Sequence, residues 1–148
     1  MADAYTVALT LLSARELSES QIRSRLKRRK FDADDIDSAV SRLKENRTLN
    51  DRRVALAIAR MESSIKRRGR ARVIQKIRQA GIDGETADDA VREVFQDVDE
   101  NDLLDQALER RLRGKTVKEL DDQGRARLMR ALVGQGFSFE AVMKRLRK

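Results

Sequence analysis

Arginines and lysines in this sequence are gathered in blocks that could bind anionic partners. The 148-residue chain has 33 of these basic residues against 25 acidic ones, so its formal net charge is +8. This balance favours polyanionic partners through counterion release and long-range attraction. Three blocks are candidate binding sites for a phosphate backbone or an acidic protein surface. They comprise Arg23, Arg25, Lys27, Arg28, Arg29 and Lys30; then Lys66, Arg67, Arg68, Arg70, Arg72 and Lys76; and then Arg110, Arg111, Arg113 and Lys115.

Each basic residue taken alone has an ordinary alternative role on a solvated helix face. Near the C-terminal end of a helix, its positive charge interacts favourably with the helix dipole. Several like charges close together are mildly unfavourable on a helix, so the blocks together favour a shared binding role along one extended stripe. A weaker block occupies Lys144, Arg145, Arg147 and Lys148. Only 3% of the residues are aromatic, so we expect contact with a nucleic-acid backbone rather than stacking on unpaired bases.

Most enzymatic chemistry is excluded by composition. The chain has no cysteine and no histidine, which removes thiol nucleophiles, imidazole bases and the common zinc ligand sets. Asp89 and Glu93 have helical spacing and could bind a divalent cation, but no loop with ordered ligand spacing accompanies them. No glycine precedes a Lys-Ser or Lys-Thr pair as a phosphate loop requires. We therefore expect no cofactor, no metal and no enzyme activity. The disfavoured alternative is a hydrolase or nuclease that uses carboxylates and a metal.

The elements that position these side chains are predicted to be helices. Proline is absent, and Val7, Leu11 and Ala14 have the spacing of one apolar helix face. Ser18 and Gln21 form the pattern of a capping box at the start of a second helix. Asp residues likewise offer N-caps for later helices, and a short extra helix is expected after residue 116. The fold class is therefore predicted to be all-α.

A pattern of five apolar positions recurs twice with identical spacing. Gly81 and Gly136 lie where the middle helix would end in two copies, and Lys30 takes that place in the first. We predict three tandem three-helix repeats, at residues 1–50, 51–98 and 99–148, that form an elongated, curved, solenoid-like domain. The three sets are Ile22, Leu26, Phe31, Ile36 and Val40; Val73, Ile77, Ile82, Ala87 and Val91; and Leu128, Leu132, Phe137, Val142 and Leu146.

Several segments together resemble the RecX family. They are the leucine-rich first helix, the stretch SESQIRSRL at 18–26, LND at 49–51, RGRARVI at 68–74 and QAGI at 79–82. The resemblance extends over essentially the whole chain. Two positions depart from the family pattern: Val54 stands where an aromatic residue is usual, and Lys30 where glycine is usual.

The resemblance implies a non-enzymatic modulator of the RecA recombinase. Such proteins lie in the helical groove of the RecA–DNA filament and suppress ATP hydrolysis, strand exchange and coprotease activity. This implies a role in homologous recombination and the SOS response, with RecA filaments, and single- or double-stranded DNA at the basic stripe, as partners. A general DNA-binding protein of helix-turn-helix type is the alternative, because short helices with a basic second member suit groove docking.

Location and oligomeric state follow as expectations. The N-terminal residues lack the pattern of a signal peptide, and no apolar run approaches the roughly 20 residues that cross a bilayer. We expect a cytoplasmic monomer that does not bind membranes. Replacing Arg68, Arg70 and Arg72 together with alanine is expected to weaken filament binding more than folding.

Overall fold

The computed structural model describes residues 2–147, and every regular element within them is a helix. This confirms the all-α prediction for that part of the chain. A π-helical turn, Met61–Ile65, continues α4, and a short 3-10 helix, Val117–Glu119, lies in the predicted position before α8. The α-helices are α1 (Ala4–Ala14), α2 (Glu19–Arg28), α3 (Ala33–Glu45), α4 (Asp51–Arg60), α5 (Arg70–Gln79), α6 (Gly84–Asp97), α7 (Glu100–Leu112), α8 (Asp122–Gly134) and α9 (Phe139–Leu146).

The helix starts follow from side-chain caps. The Ser18 hydroxyl accepts a hydrogen bond from the amide of Gln21, and the Gln21 side chain accepts one from the Ser18 amide, so the predicted capping box is present. Asp32 caps α3 in the same way by accepting from the amide of Asp35 at 2.8 Å. Helix α5 begins differently, because its N-cap is Gly69, which has no side chain to accept a hydrogen bond.

The middle helices end in the left-handed conformation in each predicted copy. Gly81 and Gly136 have φ angles of 81° and 109°, and Lys30 has φ 69°. The amide after the left-handed residue donates to a carbonyl at the end of the preceding helix, as in the 3.2 Å bonds from Phe31 to Leu26 and from Phe137 to Leu132. Lys30 therefore adopts the glycine-like ending, and its side chain imposes backbone strain there.

The core consists of two apolar clusters. One joins α1, α2 and α3 around residues such as Ile22, Leu26 and Leu43, and the other runs continuously from α4 to α9. The predicted repeat positions are all buried except Phe31, which is half-buried. The last six helices thus share one core, consistent with repeats that depend on their neighbours for stability. The repeat boundaries at 50/51 and 98/99 and the elongated, curved shape stay predictions.

Two contacts between helix ends join equivalent positions of the predicted copies. The Ser18 hydroxyl, at the start of α2, donates a hydrogen bond to the carbonyl of Ala80, at the end of α5. The Gly69 amide, at the start of α5, donates to the carbonyl of Gln135, at the end of α8, at 3.1 Å. In each case the beginning of one middle helix abuts the end of the next one. This repeated geometry fixes α5 against α8.

Candidate nucleic-acid interface

A basic cleft of about 900 Å³ lies between the π-helical turn, the start of α5, the end of α7 and helix α8. Helix α5 and helix α8 form part of its walls because of the contact between Gly69 and Gln135. Among residues 2–147, no acidic side chain lines the cleft. The basic residues that line it are Lys66, Arg67, Arg68, Arg72, Arg110, Arg111, Arg113, Lys115 and Arg127.

Gln135 connects three walls of this cleft. Its side-chain amide donates to the carbonyl of Arg67 at 2.9 Å, and its side-chain oxygen accepts from Arg111 at 3.3 and 3.4 Å. Its backbone carbonyl accepts from Gly69. One residue at the end of α8 therefore holds the turn before α5 and the end of α7 in place. Of the charged side chains of the cleft, these contacts with Gln135 use only the Arg111 guanidinium.

One buried carboxylate, that of Glu62, pairs with two of the basic residues that line the cleft. Glu62, in the π-helical turn, is only 2% exposed, and its oxygens lie 3.8 Å from Lys66 Nζ and 3.5 Å from Arg68 Nη1. Both Glu62 Oε2 and Arg68 Nη1 are buried and have no hydrogen-bond partner within residues 2–147. Charge attraction rather than direct hydrogen bonding therefore holds this pair. Arg68 is consequently a structural residue as well as a lining residue, because its removal would leave a buried charge poorly compensated.

The other seven basic side chains of the cleft have no carboxylate within 4.0 Å among the described residues. Some have neutral partners: Arg67 Nε donates to Gln106 at 3.1 Å, and Arg72 Nη1 donates to Gln75. These amides leave the positive charge in place. A concave surface that carries many charges of one sign concentrates its field and attracts a polyanion. None of the described residues that line the cleft is aromatic, so the cleft is suited to phosphates rather than to base stacking.

The structure brings the second and third basic blocks together and leaves the first block apart. None of the six residues of the first block lines the cleft; Lys27, Arg28, Arg29 and Lys30 are exposed at the end of α2, and Arg25 is half-buried. Arg23 forms ion pairs with Asp37 at 2.6 Å and with Glu19 at 3.0 Å, and these hydrogen bonds raise the pKa of Arg23. The structure therefore joins residues of the second and third blocks in one cleft and places the first block outside it, while a shared role along an extended stripe stays a prediction.

Two residues of the second block also lie outside the cleft. Arg70 forms an ion pair with Glu100 at 3.5 Å and stacks over the ring of Phe95 at 5.1 Å, so it stabilises the packing of α5. Lys76 is half-buried on α5 and does not line the cleft. Arg127 does line it and was not predicted. It follows Arg72 by the same interval as Leu128 follows Val73, so the repeat spacing contained the signal that would have found it.

The remaining charged segments form local pairs. Arg145 contacts Asp105 at 2.5 Å, and Lys148 lies outside the described residues. Asp89 and Glu93 are paired with Arg92 and Arg52 at 2.9 Å each. Across residues 2–147, no three potential metal ligands converge. In the same part of the chain, no helix has the length and apolar character needed to cross a membrane.

Comparisons with known proteins agree with this architecture. The model of the first three-helix domain of RecX matches residues 4–43, and that of the second matches residues 50–91. The regulatory protein RecX of Syntrophotalea carbinolica is 31% identical over 92% of this chain and 89% of its own length. The regulatory protein RecX of Chlorobaculum tepidum is 29% identical over 91% of this chain and 81% of its own length.

A solved structure shows the same fold. The crystal structure of RecX from Lactobacillus salivarius superposes with a TM-score of 0.80, covering 97% of this chain and 92% of that one at 19% identity. At this identity the likeness concerns the fold alone. The two matched domain models and the relative at 31% identity establish that this chain belongs to the RecX family of regulatory proteins.

Proposed function

We propose that this RecX-family regulator binds RecA–DNA filaments and lowers their activity without catalysing a reaction itself. In this proposal it lies as a monomer in the filament groove, in the cytoplasm, and inhibits ATP hydrolysis, strand exchange and coprotease activity. Recombination and the SOS response are the processes that it restrains. The observation that carries the DNA part of this proposal is the cleft, where nine basic side chains line the walls and only Lys66 and Arg68 pair with a carboxylate among the described residues.

The charge of the cleft supports contact with a phosphate backbone. Arginine guanidinium groups match phosphate oxygens with paired hydrogen bonds, and seven of the nine basic residues that line the cleft are arginines. The protein would then contact RecA through other surfaces of its helices. Filament binding would then combine contacts with RecA and a salt-sensitive contact with the DNA phosphate backbone.

A comparison of two triple variants tests where the DNA contact lies. Arg72→Gln, Arg111→Gln and Arg127→Gln together remove three charges from the cleft, and Lys27→Gln, Arg28→Gln and Arg29→Gln remove three from the exposed end of α2. We expect the cleft variant to bind RecA filaments on single-stranded DNA at least tenfold more weakly, on the order of 0.5 kcal/mol per lost contact. The α2 variant serves as the charge-matched control.

Unchanged filament binding by the cleft variant would contradict the proposed role of the cleft. Arg68 is left in place in this design because of its pairing with buried Glu62. The triple alanine variant at Arg68, Arg70 and Arg72 is a poorer test, since Arg68 and Arg70 both form ion pairs within the fold. Circular dichroism of both glutamine variants checks that their folding is intact.

The alternative function, a general DNA-binding protein, is favoured by one observation. The four exposed basic residues at the end of α2 lie outside the cleft and could contact a duplex independently. Binding to naked duplex that is tighter than binding to RecA filaments, and that is lost in the α2 variant, would support this alternative over the filament proposal.

A further inference from the structure

Two arginines that line the cleft have a backbone conformation that favours glycine. Arg67 has φ 54° and Arg113 has φ 52°, both in the left-handed region. An L-amino acid is strained there because its Cβ approaches the neighbouring carbonyl oxygen. Glycine occupies three of the other positive-φ positions, Gly81, Gly114 and Gly136, and Lys30 and Arg47 occupy two more. Arginine at the two cleft positions therefore lowers the stability of the fold relative to glycine.

The two side chains contribute little to folding in return. The Arg113 side chain is exposed and forms no hydrogen bond or ion pair within residues 2–147. The half-buried Arg67 forms one side-chain hydrogen bond, to Gln106 at 3.1 Å. The carbonyl of Arg67 accepts a hydrogen bond from Gln135, but any residue would supply that carbonyl. Folding alone gives no reason for arginine at either position.

We propose that Arg67 and Arg113 are direct phosphate-binding residues, whose side chains offset backbone strain only when a nucleic-acid strand occupies the cleft. This inference rests on the proposed function, because it assigns particular residues to the cleft's ligand. The two residues come from separate segments, the turn before α5 and the end of α7, and they line the same cleft. Each guanidinium can donate paired hydrogen bonds to one phosphate. The ligand class is the phosphate backbone of a nucleic acid, bound without base preference.

Glycine substitutions separate binding from folding. Arg67→Gly and Arg113→Gly should each raise Tm by about 1–3 °C, because each relieves the strain of a left-handed backbone conformation. They should also weaken binding of a fluorescein-labelled oligodeoxythymidine, measured by anisotropy over a range of salt concentrations. The slope of log K against log salt should fall in magnitude by about 0.7 for each lost phosphate contact with a single strand.

Arg47→Gly is the matched control, because Arg47 has φ 61° and does not line the cleft. It should raise Tm in the same way and leave both the affinity and the salt slope unchanged. Arg67→Asn provides a second test, since asparagine tolerates the left-handed conformation and removes the charge without the flexibility of glycine. It should weaken oligonucleotide binding as Arg67→Gly does.

Three outcomes would overturn the assignment. If the unaltered chain binds the oligonucleotide and the cleft glycine variants bind it equally well, these two residues are not phosphate contacts, while the proposed function survives. If Arg47→Gly weakens binding as much as they do, the effect is not specific to the cleft. If the unaltered chain binds neither the oligonucleotide nor RecA filaments, both this assignment and the proposed function fail.

Discussion

Replacing Gly136 with alanine should separate the two helices that hold the basic cleft together. A Cβ at Gly136 would lie 2.5 Å from Arg72 Cβ, 2.7 Å from the Arg72 nitrogen and 2.7 Å from the Gly69 oxygen. Two of these atoms belong to the backbone, so rotation of a side chain cannot relieve the contact. The φ angle of 109° is itself outside the region that L-amino acids readily adopt.

The expected loss of stability follows from the unfavourable φ angle and from the close contacts of the added Cβ. Strain at an unfavourable φ costs about 1–3 kcal/mol, and overpacking that forces backbone shifts costs a similar amount. Relief by moving α8 away from α5 would break the hydrogen bond between Gly69 and Gln135, worth about 1 kcal/mol. We therefore expect Gly136→Ala to lower the free energy of unfolding by about 3–5 kcal/mol, a large fraction of the stability of an ordinary domain.

Urea unfolding followed by far-UV circular dichroism measures this loss. Gly134→Ala is the matched control, because Gly134 is the last residue of α8 and a Cβ there meets no atom within 4 Å. It should leave stability unchanged or raise it by up to about 1 kcal/mol, because alanine has the higher helix propensity. A loss below about 1 kcal/mol for Gly136→Ala would refute the argument that this close contact sets the position of α8.

Three further changes test other parts of the fold. Ser18→Ala should lower the free energy of unfolding by about 1–3 kcal/mol, because it removes both a helix cap and the buried hydrogen bond to α5; a urea midpoint equal to that of the unaltered chain would contradict this. Arg68→Ala should lower it by about 2–4 kcal/mol, and adding Glu62→Gln should restore part of the loss; no recovery in the double variant would show that the buried charge is not the cause. Burial opposes ionisation of Glu19, but hydrogen bonds from Lys44 and from a nearby arginine outweigh it and lower the pKa below the ordinary 4.5. The stability from this ionised group is present above pH 4.5 and is lost as the pH falls through the folded-state pKa, so the difference between the unaltered chain and Glu19→Gln should narrow in acid, as urea titrations at several pH values would show.

The fold was largely predictable because local signals and the repeat pattern agreed. The capping box at Ser18 and the left-handed ends at Gly81 and Gly136 are set by neighbouring residues, and the structure contains all three. The ending at Lys30 also follows the repeat, although its side chain disfavours the conformation. In that case the burial of apolar residues on both sides, rather than local preference, determines the backbone.

The candidate site was only partly predictable, because it depends on contacts between distant residues. The sequence shows that basic residues cluster, but it does not show that the second and third blocks meet in one cleft. That meeting depends on Gly69 and Gln135, which carry no charge and gave no signal in the sequence. Likewise, buried Glu62 gives Arg68 a structural role that charge counting could not reveal.

The proposed inhibition of RecA–DNA filaments is tested most directly by measuring the rate of single-stranded-DNA-dependent ATP hydrolysis by RecA as this chain is titrated in. We expect inhibition at equimolar or lower ratios of the chain to RecA, and weaker inhibition by the variant with glutamine at Arg72, Arg111 and Arg127. An unchanged ATPase rate at stoichiometric amounts, with binding to bare DNA retained, would contradict it and would favour the general DNA-binding alternative.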